Sequence, residues 1–212
     1  MNREDRKRSL MAFHRENIVT AAEGLFKAKG YESTTVDDIA RAAEYSKRTV
    51  YSYFESKYEI HCHMVLRGIT MLKDYIAEGV GKSDEFTRQY RDICESLLSF
   101  YRDHPLYFNA VVQFQSTPIF TENPPQVAVD IFNKGEELNA LLAKAFENGQ
   151  RQGVLRADVK IVESIFIYWS SISALITLAH HKESYLEETM GTTRQDFLNY
   201  GFELLLRAVL KH

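Results

Sequence analysis

The chain has 212 residues, 45% of them hydrophobic and 26% charged, which provides enough apolar material for a folded core and enough charge for a soluble surface. Ten Gly and four Pro are too few for a loop-rich β fold, and two Cys exclude a disulfide framework and predict a reducing, cytoplasmic location. The formal net charge is −3, but residues 1–57 carry 11 Lys and Arg against 9 Asp and Glu, whereas residues 58–212 carry 15 against 20. A basic front end therefore precedes an acidic body.

Apolar residues at helical spacing predict a first helix that ends near Gly30. One face of this helix carries Ile18, Ala22, Leu25 and Phe26. Before it, residues 1–15 hold 5 Lys and Arg against 2 Asp and Glu and contain no apolar run, so they do not form a secretory signal.

Three capping signals define the helices that follow. Thr35 with Asp38 forms a capping box that opens the second helix, and Ser46 is the N-cap of a third helix of about two turns. Ser56 with Glu59 forms another box, which opens a long fourth helix. The second and third helices, joined by a short turn, predict a helix-turn-helix, in which the second member enters the DNA major groove.

The third helix is expected to bury Val50 and Phe54, which lie four residues apart. Tyr51 and Tyr53 are separated by about 200° around the helix axis, so at least one of them must be exposed. Its outward and flanking surfaces then carry Lys47, Arg48, Thr49, Tyr51 and Tyr53. Cations at the start of this helix favour the binding of a DNA phosphate, and so does the Lys57 side chain at the start of the next helix.

The rest of the chain is also predicted to be helical, which gives an all-α fold of about nine helices. The segment from 164 to 179 is uncharged for 16 residues, and five of these are Ser or Thr. Because a membrane span needs roughly 20 apolar residues, we interpret this segment as part of a buried helix over residues 159–180 and predict no membrane contact. A final helix is capped by Thr193, and Gly201 in its apolar stripe permits the close approach of another helix.

The predicted helix-turn-helix resembles the DNA-binding domain of TetR/AcrR-family transcriptional regulators. The similarity covers residues 14–62 and is carried by Thr-Val-Asp-Asp-Ile-Ala at 35–40 and by Ser-Lys-Arg-Thr-Val-Tyr-Ser-Tyr-Phe-Glu-Ser-Lys at 46–57. Residues 150–158, Gln-Arg-Gln-Gly-Val-Leu-Arg-Ala-Asp, are similar to a turn that many members carry before their penultimate helix.

The resemblance implies a DNA-binding domain at residues 1–57 and an effector-binding and dimerisation domain at residues 58–212. It implies a homodimer whose last two helices form a four-helix bundle with those of the partner. The positions that match DNA contacts of the family are Thr35, Lys47, Thr49, Tyr51, Tyr53 and Lys57, with Arg48 beside them.

One departure from the family pattern lies in the turn of the helix-turn-helix. Glu44-Tyr45 stands where the family has a Gly followed by an aliphatic residue. Glu44 must adopt the turn without the freedom of glycine, at a cost on the order of 1 kcal/mol if its φ is positive.

The C-terminal part is dense in aromatic residues, some of which we expect to line a cavity for a small apolar or aromatic effector. The candidates are Tyr101, Phe108, Phe114, Phe132 and Trp169. No cofactor is predicted. His61 and His63 are spaced by two on a helix and diverge, so they do not form a metal site without a distant partner.

We therefore predict a repressor, not an enzyme, which binds a pseudo-palindromic double-stranded operator as a homodimer and is released by the effector. One alternative is a DNA-binding regulator that has no effector, so that the C-terminal domain serves only to dimerise. Another is a metal-binding helical bundle that uses the histidines. A ligand-sized cavity would favour the repressor that is released by an effector over the regulator that has none.

Overall fold

The computed structural model describes residues 2–115 and 124–211, and within these ranges the chain forms ten α-helices and no β-strand. The helices are α1 (Arg3–Lys29), α2 (Val36–Ala42), α3 (Lys47–Tyr51), α4 (Lys57–Gly81), α5 (Phe86–Asp103), α6 (Pro105–Phe114), α7 (Gln126–Arg151), α8 (Ile161–His181), α9 (Glu183–Glu188) and α10 (Arg194–Val209). The predicted all-α fold is confirmed, and the helix that the sequence did not predict is the short α9.

The helices belong to two compact units. The first contains Met1–Ile69 and Asn109–Asn133, and the second contains Thr70–Phe108 and Lys134–His212. The break after Ile69 lies within α4, later than the predicted domain boundary at residue 57. As a division between a DNA-binding and an effector-binding domain, the boundary at residue 57 remains a prediction.

The core of the helix-turn-helix follows the apolar pattern. Ile18 and Phe26 of α1, Ile39 of α2, and Val50 and Phe54 are buried. The predicted caps are present, because the Thr35 and Ser46 side chains accept hydrogen bonds from the backbone N–H groups that open α2 and α3. α3 ends at Tyr51, earlier than predicted, and the buried Phe54 follows it in the chain.

The turn between α2 and α3 places a non-glycine residue in the left-handed region. Glu44 has a φ of 60°, and it is the one non-glycine residue with positive φ in the part of the chain that the structure describes. The N–H of Tyr45 bonds to the carbonyl of Ala40 at 2.8 Å and that of Glu44 to Arg41 at 3.2 Å. These two bonds form a Schellman motif, in which glycine usually occupies the position of Glu44.

Glu44→Gly is expected to increase the free energy of unfolding by about 1 kcal/mol, because glycine adopts positive φ without strain. Urea denaturation measures the change. Glu44→Ala is the matched control, since it removes the same charge and keeps the strain. An equal gain in both variants would assign the effect to the carboxylate and contradict the backbone explanation.

In the second unit, α5, α8 and α10 pack together. Two phenol groups join the α10 backbone: the Tyr90 hydroxyl donates to the Phe202 carbonyl at 3.0 Å, and the Tyr168 hydroxyl donates to the Leu205 carbonyl at 2.5 Å. A Cβ at Gly201 would lie 2.9 Å from Cδ1 of Leu175. Gly201 therefore permits close packing of α10 on α8 of the same chain.

α8, within the segment predicted to be a buried helix, is buried on one face only in the single chain. Its buried residues are Ile165, Tyr168, Ile172, Ser173, Ile176 and Ala179. Exposed apolar side chains on it are Val162, Phe166, Ile167 and Leu178, and those on α10 are Tyr200 and Leu204. Among the described helices, α8 is the one long and apolar enough to cross a membrane, with a mean hydropathy of 1.6 in its most apolar window. A mostly buried core helix of a soluble protein passes the same test, whereas 28% of this window is buried in the single chain, and one such helix is weak evidence for a membrane span.

Candidate nucleic-acid interface and small-molecule pocket

Two buried side chains, one within α3 and one shortly after it, hold this helix against the core. Val50 and Phe54 fix the inward side, and the Ser46 side chain closes the N-terminal end. The Ser46 and Thr49 hydroxyls share a hydrogen bond of 2.8 Å, so the predicted DNA contact Thr49 also serves the cap. Thr49 is partly buried.

Lys47, Arg48 and Tyr51 form the exposed surface of α3. Tyr51 is 48% exposed. The Lys47 ammonium lies 2.8 Å from an Asp37 carboxylate oxygen of α2, and this hydrogen bond raises the pKa of Lys47. Arg48 makes no ion pair with any residue that the structure describes. The exposed surface therefore offers one free guanidinium and one ammonium that already has a carboxylate partner.

Tyr53 follows the end of α3 and, unlike Tyr51, is not exposed. It is partly buried against His14 of α1, with ring centroids 5.5 Å apart. The Nδ1 atom of His14 is 2.6 Å from the Tyr45 hydroxyl. α1 thus contacts residues that precede and follow α3, and Tyr45, which departs from the family pattern, supplies one of these contacts.

Thr35 and Lys57 both have structural partners. The Thr35 hydroxyl donates to Asp38 at 2.8 Å and accepts from the N–H of Asp38 at 3.1 Å. A hydrogen bond from Lys29, and then those from Thr35, lower the pKa of Asp38. The Lys57 ammonium donates to the carbonyls of Tyr31 and Thr34 at 2.8 and 2.9 Å and lies 4.1 Å above the Tyr31 ring. One of its three N–H groups remains for a phosphate.

His61 and His63 pack against aromatic rings. His61 lies 4.7 Å from the Tyr31 ring and His63 lies 5.4 Å from the Phe54 ring, between centroids. Burial lowers the pKa of both histidines. The nearby positive charge of Lys57 lowers the pKa of His61 further, and that of Arg15 lowers the pKa of His63. Within residues 2–115 and 124–211, no three His, Cys, Asp or Glu side chains are grouped to hold a metal ion.

The five predicted effector residues are divided between the two compact units. Phe114 and Phe132 belong to the first unit, whereas Tyr101, Phe108 and Trp169 belong to the second. Phe108 is fully buried and contacts the other two candidates of the second unit. Its ring centroid lies 5.0 Å from that of Tyr101 and 6.4 Å from that of Trp169. Tyr101 and Trp169 line separate cavities.

The cavity at Trp169 is apolar and small. Its volume is about 40 Å³, much less than the roughly 300 Å³ at which ligand pockets begin. Its walls include Tyr90 and Tyr168, whose hydroxyls are directed to α10. Burial raises the pKa of Tyr168 to about 12.

The cavity at Tyr101 is larger and partly cationic. Its volume is about 290 Å³, and its apolar lining residues are Leu98, Tyr101, Pro105, Ile176 and Leu198. Its polar lining residues are Arg102, His180, Arg194 and Gln195. Outside the lining, Arg102 pairs with Asp103 at 3.3 Å and Arg194 pairs with Glu183 at 3.2 Å. No carboxylate is among the lining residues that the structure describes.

Comparisons with known proteins agree with this architecture. Residues 18–61 match the family model for bacterial regulatory proteins of the tetR family. The chain is 28% identical over 131 residues to IcaR of Staphylococcus aureus (strain Newman), the HTH-type negative transcriptional regulator of the biofilm operon icaADBC. That match covers 61% of this chain and 66% of IcaR, so the chain spans just under two thirds of the length of this relative.

Solved structures show the same fold over nearly the whole chain. PfmR, a TetR-family regulator from Thermus thermophilus, matches with a TM-score of 0.64 and 20% identity, covering 90% of this chain and 97% of PfmR. FadR from Bacillus subtilis, solved in complex with stearoyl-CoA, matches with a TM-score of 0.62 and 15% identity, covering 90% of this chain and 96% of FadR.

Proposed function

We propose that this chain, which belongs to the TetR family of transcriptional regulators, is a repressor that binds a pseudo-palindromic operator as a homodimer. The family regulates transcription, in agreement with the prediction that the chain is not an enzyme. The observation that carries the proposal is the exposed surface of α3, where Lys47, Arg48 and Tyr51 stand out from a buried anchor. Cations and a phenol on such a helix suit phosphates and base edges in a major groove.

Two further observations support the finer parts of the proposal. IcaR is described as a negative regulator, which supports repression. The exposed apolar residues of α8 and α10 support a dimer, because a second copy of the same two helices would cover them. A two-fold dimer presents two copies of α3, which explains the expected pseudo-palindromic site.

Footprinting of the wild-type protein on the DNA upstream of its own gene tests this proposal. We expect two protected half-sites separated by about one helical turn or a multiple of it. Equal affinity for this DNA and for a scrambled sequence of the same composition, at low salt, would contradict it.

For the effector, we infer an organic anion with an apolar or aromatic body, bound in the cavity at Tyr101. The volume of about 290 Å³ suits a small ligand, and the apolar walls with Arg102 and Arg194 suit a carboxylate on a hydrophobic group. FadR supports this class, because the stearoyl-CoA in its structure combines negative charge with an apolar chain. The cavity at Trp169 would have to expand before it held a ligand of similar size.

A panel of aromatic and medium-chain carboxylates, each paired with its neutral amide, tests the effector class. We expect some carboxylates to raise the melting temperature and release the operator, and their amides to bind at least about tenfold more weakly, since charged hydrogen bonds are lost. Arg102→Gln with Arg194→Gln should abolish this preference.

Arg88→Gln with Arg151→Gln is the matched control, because it removes two exposed cations of the same unit that do not line the cavity. An equal response to acids and amides in the wild type would contradict an anionic effector. No response to any compound, with operator binding intact, would favour the regulator without an effector.

A further inference from the structure

The first turns of α1 extend beyond the folded core. The helix begins at Arg3, but its first buried residue is Ile18, and residues 2–13 are all exposed. We call residues 3–13 the N-terminal overhang, which is about 16 Å long at 1.5 Å per residue. Its start is fixed by a capping box, in which the Asn2 side chain accepts from the Asp5 N–H at 2.8 Å and the Asp5 carboxylate accepts from the Asn2 N–H at 3.0 Å.

The overhang is rich in cations that have no internal partner. Arg3, Arg6, Lys7 and Arg8 oppose only Glu4 and Asp5 over this segment. None of the four cations forms an ion pair with the residues that the structure describes, and the Asp5 carboxylate is engaged in the capping box. A protein surface with clustered cations and no acidic partner favours a polyanion.

His14 fixes the direction in which one stripe of the overhang points. Its ring contacts Tyr45, directly before the cap of α3, and Tyr53, shortly after the end of α3. Separations of four, three and four residues place Arg3, Lys7, Leu10 and His14 on the same side of the helix. Arg3 and Lys7 therefore lie on the side of α1 that meets the segment around α3, about three and two turns beyond that contact.

We propose that the overhang is a second DNA-binding element, in which Arg3 and Lys7 contact backbone phosphates outside the base pairs that α3 contacts. The inference rests on the proposed operator binding and adds to it an interface that the helix-turn-helix does not include. DNA carries a phosphate every 3.4 Å along each strand, so an arm of about 16 Å spans several of them.

The overhang also exposes Leu10, Met11 and Phe13, which raises the question of an apolar partner. Of these, Leu10 lies on the stripe of His14, between the two cations and the tyrosine contact. The cations occupy the turns of α1 that lie farthest from the folded core. Their charge is complementary to that of phosphate groups. Contact with a second copy of the chain would instead depend on the apolar residues and would alter the oligomeric state.

Fluorescence anisotropy of the full-length protein on operator DNA, over a range of salt concentrations, tests the inference. Each phosphate contact contributes about 0.9 to the slope of log K against log salt, so Arg3→Gln with Lys7→Gln should lower the slope by about 1.8 per protomer. Arg8→Gln with Lys27→Gln is the matched control, since it removes two exposed cations of α1 that lie off this stripe. The control should keep a slope close to that of the wild type.

The outcomes separate this inference from the proposed function. A wild-type protein that does not prefer its operator would overturn both. If the wild type prefers its operator but the Arg3/Lys7 variant and the control lose equal slope, or neither loses any, the inference about the overhang is wrong and the helix-turn-helix stands alone. A changed sedimentation coefficient of Leu10→Gln with Phe13→Gln, together with a wild-type salt slope in the Arg3/Lys7 variant, would assign the overhang to contact between copies.

Discussion

Lys47→Ala is expected to weaken operator binding by about tenfold and to lower the salt slope by about 0.9 per protomer, because one phosphate contact and its released counterion are lost. The reason for choosing Lys47 is its place on the exposed surface of α3, next to the free Arg48. Anisotropy titrations at several salt concentrations measure both quantities. Lys27→Ala, an exposed cation of α1, controls for the loss of charge alone.

Asp37→Asn should have the opposite effect and tighten binding. In the free protein the Asp37 carboxylate holds the Lys47 ammonium at 2.8 Å, so it competes with a phosphate for the same donor and repels the DNA backbone. Both side chains are about half exposed, and therefore neither substitution should change the melting temperature noticeably. Unchanged affinity and salt slope in Lys47→Ala would place this side chain outside the interface.

The second large effect is expected from the face of α8 and α10. Phe166→Arg with Leu204→Arg should convert the proposed dimer to monomers, since it places charges where two apolar side chains, 56% and 57% exposed in the single chain, would meet the second copy. Operator affinity should then fall by roughly 10²- to 10⁴-fold, because the two half-sites are no longer bound by linked modules. Sedimentation velocity and anisotropy measure the two changes.

Two exposed apolar residues outside this face provide the control. Tyr185→Arg with Met190→Arg adds the same charge to residues that belong neither to α8 nor to α10, and it should leave the dimer intact. Affinity for an isolated half-site should be similar in all of these proteins. A wild type that sediments as a monomer, or a dimer that survives Phe166→Arg with Leu204→Arg, would contradict this interface.

The helix-turn-helix could be predicted from sequence because its determinants are local. Thr35 and Ser46 are capping residues that act within three positions, and both make the expected bonds. The positive φ of Glu44 was anticipated only as a condition, from the family resemblance, in which a glycine stands at this position.

Other features depend on contacts between distant positions or on the absence of burial. The pairing of Lys47 with Asp37 and the carbonyl contacts of Lys57 join separate elements, so no local pattern predicts them. The overhang has no buried face, and a helix that buries no face needs no apolar periodicity in its sequence. The apolar pattern that predicted α1 therefore starts only at Ile18. Likewise, the sequence could not tell which aromatic residues line which cavity, and Tyr101 and Trp169 line two different ones.

The attachment of α10 through its main chain affects how such a protein diverges. The phenols of Tyr90 and Tyr168 bond to carbonyl groups, which every amino acid supplies, so these bonds do not depend on the side chains of Phe202 and Leu205. Substitutions on the outer side of α10 can therefore accumulate without weakening these hydrogen bonds between α10 and the helices α5 and α8. In the proposed dimer, whose second copy would meet the outer side of α10, a duplicated gene could in this way acquire a new self-recognition surface, and two paralogues in one cell could avoid forming mixed dimers while keeping the same interior.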